Sequence, residues 1–170
     1  MINKLTDYYD NQYHDNGNIK RAFILDNDCS LIFISFYECG QIELLENNIT
    51  GKHTRFFENG NIESITNYKN GKMNGENNRY YENGNRCWNW NYKDGKLHGK
   101  ITYYDLDGNV NRIIDYKDGK ENGKETFYYE GKIRIVTNFK DGKMDGDKIY
   151  YDFFGKVDEI ETYKDGILIK

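Results

Sequence analysis

The chain repeats itself about every 24 residues, and a period of that length limits the possible folds before any local assignment is made. A unit so short cannot bury a core of its own and must stack on its neighbours. Counted on glycine, units open at Gly51, Gly75, Gly99, Gly123 and Gly146. Each then carries an adjacent aromatic pair: Phe56-Phe57, Tyr80-Tyr81, Tyr103-Tyr104, Tyr128-Tyr129 and Tyr150-Tyr151. A first turn glycine follows at Gly60, Gly84, Gly108, Gly131 or Gly155, and a second at Gly71, Gly95, Gly119, Gly142 or Gly166. Just before the second turn stand an aromatic and a lysine, as in Tyr92-Lys93 and Phe139-Lys140.

Two intervals within the unit are fixed and one varies. First and second turn glycines are always 11 residues apart (60 to 71, 84 to 95, 108 to 119, 131 to 142, 155 to 166), and the next opening glycine comes after 4 (71 to 75, 95 to 99, 119 to 123, 142 to 146). The variation falls around the aromatic pair, between the opening glycine and the first turn, which marks that turn as an exposed edge tolerant of insertion. The 11-residue segment reads as a strand. In Arg86-Cys87-Trp88-Asn89-Trp90-Asn91-Tyr92 large residues alternate with small or polar ones, the period of two of a half-buried strand. Ile65, Ile113, Val136 and Ile160 fall on the opposite parity, so either both sheet faces are partly covered or a bulge shifts the register. Asn-Gly and Asp-Gly pairs such as Asn70-Gly71 and Asp94-Gly95 predict hairpins between the strands. The expected fold is all-β, a single-domain antiparallel meander with no helix, built from five tandem hairpin repeats over residues 51–170.

Residues 1–50 keep the theme in degenerate form. Asp15-Asn16-Gly17-Asn18-Ile19 parallels Glu58-Asn59-Gly60-Asn61-Ile62, and Phe36-Tyr37-Glu38-Cys39-Gly40 parallels Tyr80-Tyr81-Glu82-Asn83-Gly84. Between Gly40 and Gly51 the linking segment is about four residues short. Two worn units capping the array are expected here.

Composition supports a folded chain with an unusual core. Only 37% of residues are hydrophobic, but 16 Tyr, 9 Phe and 2 Trp run along the whole length, so rings rather than aliphatics must supply the buried surface. There is no proline, and 17 glycines make the turns. A net charge of -4 argues against nucleic acid or an anionic membrane as main partner. Met1 to Gly17 is polar, giving no signal peptide, and no apolar run approaches a membrane span, so the cytoplasm is the expected setting. Cys29, Cys39 and Cys87 lack CxxC spacing and fit free thiols in a reducing compartment.

The block Tyr80-Tyr81-Glu82-Asn83-Gly84 with Tyr92-Lys93-Asp94-Gly95-Lys96-Leu97-His98-Gly99 resembles the MORN-repeat-variant family of bacteria, closely over residues 51–170 and loosely before them. The resemblance implies an elongated, twisted sheet of stacked hairpins. It also implies two kinds of role, since many bacterial members are antitoxins or immunity-like proteins, while eukaryotic MORN repeats are linked to membrane or cytoskeletal attachment.

No catalytic arrangement is legible. His14, His53 and His98 have no metal-ligand spacing, the serines lie in no GxSxG elbow, and no GxxxxGK[ST] loop is present. Asp105-Leu106-Asp107-Gly108-Asn109 has some likeness to a calcium loop but lacks the bidentate Glu. Neither enzymatic activity nor a cofactor or metal is expected. What stacked repeats offer is a surface. Trp88 and Trp90, unmatched by aromatics in the other copies, are candidate anchors for a partner protein. Glu58, Glu82, Asp105, Asp107, Glu130 and Asp152 recur at first turns and would form an acidic edge suited to a basic partner such as a nuclease toxin, with lysines in excess on the opposite edge. The expected function is a non-enzymatic protein-binding module, of antitoxin or immunity type. Its alternatives are a membrane- or envelope-associated scaffold and a carbohydrate-binding surface using the aromatic ladders.

Overall fold

A computed structural model describes residues 8–25 and 31–170; Cys29 lies outside them. The described residues contain no helix and form 17 strand segments in one open antiparallel sheet. In chain order these are β1 (Tyr8–Tyr13), β2 (Ile19–Leu25), β3 (Leu31–Phe36), β4 (Ile42–Asn47), β5 (Lys52–Phe56) and β6 (Ile62–Lys69). Then come β7 (Lys72–Met73), β8 (Gly75–Tyr80), β9 (Arg86–Lys93), β10 (Lys96–Leu97), β11 (Gly99–Tyr104) and β12 (Val110–Lys117). The last are β13 (Lys120–Tyr129), β14 (Lys132–Lys140), β15 (Lys143–Tyr151), β16 (Val157–Lys164) and β17 (Ile167–Leu168). Each long strand pairs with the next along the chain, and β7, β10 and β17 are short arms folded back on β6, β9 and β16. The meander therefore puts first turns on one edge and second turns on the other.

The two turns differ in kind. At second turns, both central residues are left-handed, as in Asp94 (φ 51) with Gly95 (φ 82), which is the two-residue type I′ hairpin that Asn-Gly and Asp-Gly favour. First turns are one residue longer. Gly60 N donates to Phe57 O at 2.9 Å and Phe57 N to Asn61 O at 2.8 Å, with only Gly60 left-handed, a three-residue loop closed by a glycine bulge. The same bonds recur at Tyr37, Tyr81, Asp105 and Asp152. The exception is Glu130-Gly131, both left-handed, which makes a two-residue turn where the others have three.

The off-parity apolar residues lie on the sheet face opposite their strands' aromatics: Ile113 and Tyr116 pair with Thr102 and Gly99 in unbroken register, and the bulges lie elsewhere. Just after each three-residue turn the register slips by one, for example between Arg55/Ser64 and Phe56/Ile62. A larger bulge sits in the other hairpin. Ile114 pairs with Glu125 and Tyr116 with Glu121, so residues 122–124 stand opposite Asp115 alone. β14 and β15 repeat this, with residues 145–147 opposite Asn138. Here the opening glycines take φ of 87° to 118° at positions 75, 99, 123 and 146. Each faces the aromatic of the next strand, as Gly75 faces Tyr92 and Gly123 faces Phe139. A side chain on the opposing strand closes the bulge. Asn91 Nδ2 donates to Lys100 O (3.1 Å), Asn138 Nδ2 to Asp147 O (2.6 Å), and Asp115, an acceptor only, takes Lys124 N–H instead (3.2 Å).

The short Gly40–Gly51 segment has a structural cause. β4 pairs with β5 without any register shift, so the hairpin arm and bulge are both missing there. Gly51 serves as turn residue and as the glycine facing an aromatic, its carbonyl accepting Tyr68 N–H at 2.7 Å.

Among the described residues no second layer covers the sheet. The buried side chains among the described residues are few: Ala22, Ile24, Ile101 and Ile114, with the polar Ser35, Thr54, Asn77, Asn78 and Thr137. Ile101 faces Ile114 across β11 and β12, each 1% exposed. In a single sheet only long neighbouring side chains can exclude water from such a pair, and Tyr103 and Tyr116, two residues further along the same strands, stand in position to do so.

Candidate partner-binding surface

Trp88 and Trp90 lie two residues apart on β9, so the strand's alternation projects both indoles from one face. Their rings stack at 4.2 Å with 22° between planes, and Trp90 also meets the edge of Tyr103 at 6.3 Å and Tyr92 at 6.4 Å. Both indoles are half-buried. Burial, with the Tyr103 and Tyr68 phenols nearby, pushes the Tyr92 phenol above its ordinary pKa, so it stays a neutral ring. Asn77 faces Trp90 across β8 and β9 and is 2% exposed. Its Oδ1 accepts Asn67 N–H at 2.6 Å, which fixes the amide orientation and leaves Nδ2 without a partner. Trp90 Nε1 is buried without an acceptor as well. Two neighbouring N–H donors thus lack acceptors beneath an aromatic patch, an arrangement that costs stability unless something else supplies an oxygen.

The acidic residues expected along the first-turn edge are all there, but not as one set. Glu58 and Glu82 occupy the second turn position and point outward, whereas Asp105 and Asp152 occupy the first and turn inward. Asp105 Oδ1 accepts N–H from Asp107 (3.0 Å) and Asn109 (2.8 Å), and Asp152 Oδ1 accepts from Phe154 and Lys156 (2.8 Å each). The hydrogen bond from the Asn109 backbone, ahead of the other contacts, holds the Asp105 carboxyl below its usual pKa. Their equivalence with Glu58 and Glu82 is therefore corrected: these two carboxylates hold turns together. Asp107 and Glu130 are exposed.

Asparagines stitch this edge. Asn59 and Asn61 donate to Glu82 O (3.2 and 2.9 Å), and Asn83 and Asn85 donate to Leu106 O (2.9 Å each). The stitch stops at Asn109, whose amide turns back on Asp105, because the next turn is the short Glu130-Gly131. Tyrosines add cross-ties, Tyr37 Oη to Phe56 O (2.8 Å) and Tyr81 Oη to Tyr104 O (2.9 Å). On the opposite edge, second turns are linked through backbone: Gly95 N to Met73 O and Gly119 N to Leu97 O (2.8 Å each). Lysines 69, 72, 93, 96, 117, 120, 140, 143 and 164 are exposed there.

Two features would have been hard to read from sequence. A groove of ≈ 580 Å³ opens beside the short turn, lined by Asp107, Val110, Phe127, Tyr129 and Glu130 among others. A second, of ≈ 750 Å³, lies between Thr50-Gly51 and Asn70-Gly71, where the missing hairpin arm would lie, with His53 against Tyr68 (4.5 Å) and Glu46 (3.3 Å). Irregular spacing was the available signal for both. Among the described residues no group of His, Cys, Asp and Glu is placed to hold a metal ion, and no helix is long and apolar enough to cross a membrane. Cys39 and Cys87 are free thiols.

Comparison with known proteins finds no match among curated sequences. Residues 49–70, 97–118 and 144–165 each match the MORN repeat variant. The matched stretches are alternate units in one frame, and the two units between them hold Trp88-Trp90 and Glu130-Gly131. The chain is thus a β-hairpin repeat protein, three segments of which are similar to the MORN repeat variant.

Proposed function

We propose that this chain is a non-enzymatic protein-binding module that masks a partner, in the manner of an antitoxin or immunity protein working in the cytoplasm. The observation that carries the reading is the stacked, half-buried Trp88–Trp90 pair on a sheet face that no other described element covers. Half-buried indoles are the side chains that dominate protein interfaces. The exposed carboxylates of Glu58, Glu82, Asp107 and Glu130 favour a basic partner and would speed its approach. The resemblance of the repeats to the MORN-repeat-variant family, many bacterial members of which are antitoxins or immunity-like proteins, supports the masking role. Co-purification from the native host, with the bound protein identified and its toxicity tested with and without this chain, checks the reading. Replacing Trp88 and Trp90 together by alanine should weaken the complex by about 100-fold while the circular dichroism spectrum is kept. A native preparation with no specific partner, or binding indifferent to both tryptophans, would overturn it.

A second reading, a scaffold on an anionic envelope surface, is favoured by the exposed lysines of the second-turn edge. Sedimentation with vesicles containing phosphatidylserine separates the two, since only the scaffold reading requires the protein to pellet.

A further inference from the structure

The groove beside Glu130-Gly131 carries an inference that rests on the protein-binding reading and specifies its chemistry. At two places on the first-turn edge an arginine of the chain itself lies by an aromatic ring, one of them Arg86, whose position holds Ile62, Val110, Ile133 and Val157 in the other units. The Arg86 guanidinium lies 6.0 Å from the centre of the Tyr104 ring, and Arg134 lies 3.6 Å over Phe153 while donating to Tyr151 O at 3.3 Å. Arg86 follows Gly84 by two residues. The residue two after Gly108 is Val110, and it lines the groove. Arg86 pairs with Tyr80 in register as Val110 pairs with Tyr104, so the two positions are equivalent. Where Val110 stands, the neighbouring rings are bare: Tyr129 is 53% exposed and Phe127 is 40% exposed. The short turn removes one residue that would otherwise fill the space, and Asn109 is drawn back to Asp105 instead of bridging forward. An aromatic floor and the carboxylates of Asp107 and Glu130 at the rim define one chemistry; the cations in register with these rings, Arg112 opposite Phe127 and Lys132 opposite Tyr129, are engaged by Glu125 and by Phe153 O.

We propose that this groove receives an arginine side chain from a protein partner, its guanidinium lying over Tyr129 and Phe127 and pairing with Glu130 and Asp107. The site combines a planar cation over a ring face with carboxylate acceptors matched to the guanidinium fork. Arg134 over Phe153 shows the same contact made within the chain.

The test uses the full chain, ¹⁵N-labelled, titrated with the peptide acetyl-Gly-Arg-Gly-Arg-Gly-amide and with its citrulline counterpart, which keeps the shape and removes the charge. Shifts concentrated at residues 107–111 and 127–131, saturating with the arginine peptide and about tenfold weaker with citrulline, are expected. Val110→Arg places the equivalent of Arg86 in the groove and should abolish those shifts while leaving the spectrum elsewhere unchanged; Val110→Leu should not. Shifts spread evenly over every acidic turn, equal response to citrulline, or titration unaffected by Val110→Arg would each overturn the proposal. Failure here stays distinct from failure of the protein-binding reading. A native partner that still binds Val110→Arg but not the Trp88/Trp90 variant would remove the arginine site and leave the module standing.

Discussion

At Gly51 the chain has room for a hydrogen and nothing more. A Cβ there would lie 2.0 Å from Tyr68 O, a backbone atom that cannot move aside, at a φ of 67° that side chains rarely adopt. Gly51→Ala should cost about 3–5 kcal/mol, whereas Gly75→Ala, with φ 87° but nothing within 4 Å, should cost about 1–2 kcal/mol. Urea midpoints at constant slope check the contrast. Asp105 gives a pH prediction. Hydrogen bonds from the turn depress its folded pKa, so its contribution to stability is present above the unfolded value of about 3.9 and is lost as pH falls through the lower folded value. The Asp105 carboxyl ¹³C resonance should titrate below the ordinary aspartate range, and Asp105→Asn should remove that acid-side dependence of the turn. The sequence shows an acid near every first turn and hides this division of labour. Alignment on the aromatic pair puts Asp105 with Glu82, while counting back from the turn glycine puts it with Tyr81, and hydrogen bonds follow the second count.

Among the elements, hairpin turns were the most legible, because an Asn-Gly or Asp-Gly pair states its own backbone conformation. The fixed four-residue interval was visible too, but its cause was not: a bulge of two extra residues is a property of pairing between strands, and it leaves the alternation along either strand unchanged. The Asn side chains that close these bulges predict a specific loss. Asn91→Ala, which frees Lys100 O, should cost about 1 kcal/mol, and Asp115→Ala a similar amount through Lys124 N–H, both read from urea unfolding. The edges should differ in tolerance. One glycine inserted after Glu130, restoring the usual first-turn length, should change stability by less than about 1 kcal/mol. The same insertion between Asp118 and Gly119 displaces the bond from Gly119 N to Leu97 O and should cost more than twice that.

For the molecule as a whole, the absence of a covering layer sets the scale of everything else. The chain exposes 11309 Å², against about 8,800 Å² for a compact protein of its mass. Its radius of gyration by small-angle scattering should exceed the about 15.5 Å of a compact chain of this length. Strands pair with others near them in the chain, so unfolding should proceed in stretches, and amide exchange should be slowest around Ile101 and Ile114. The single-layer array itself was readable from periodicity. The grooves were not, since they arise where the period fails. A sheet open on both faces also removes the usual separation between residues that hold a protein together and residues that recognise something. Here the indoles that would meet a partner are the same atoms that keep water from the strands beneath them. Changing what this chain binds therefore means changing how firmly it folds, and its specificity and stability must evolve together, one repeat at a time.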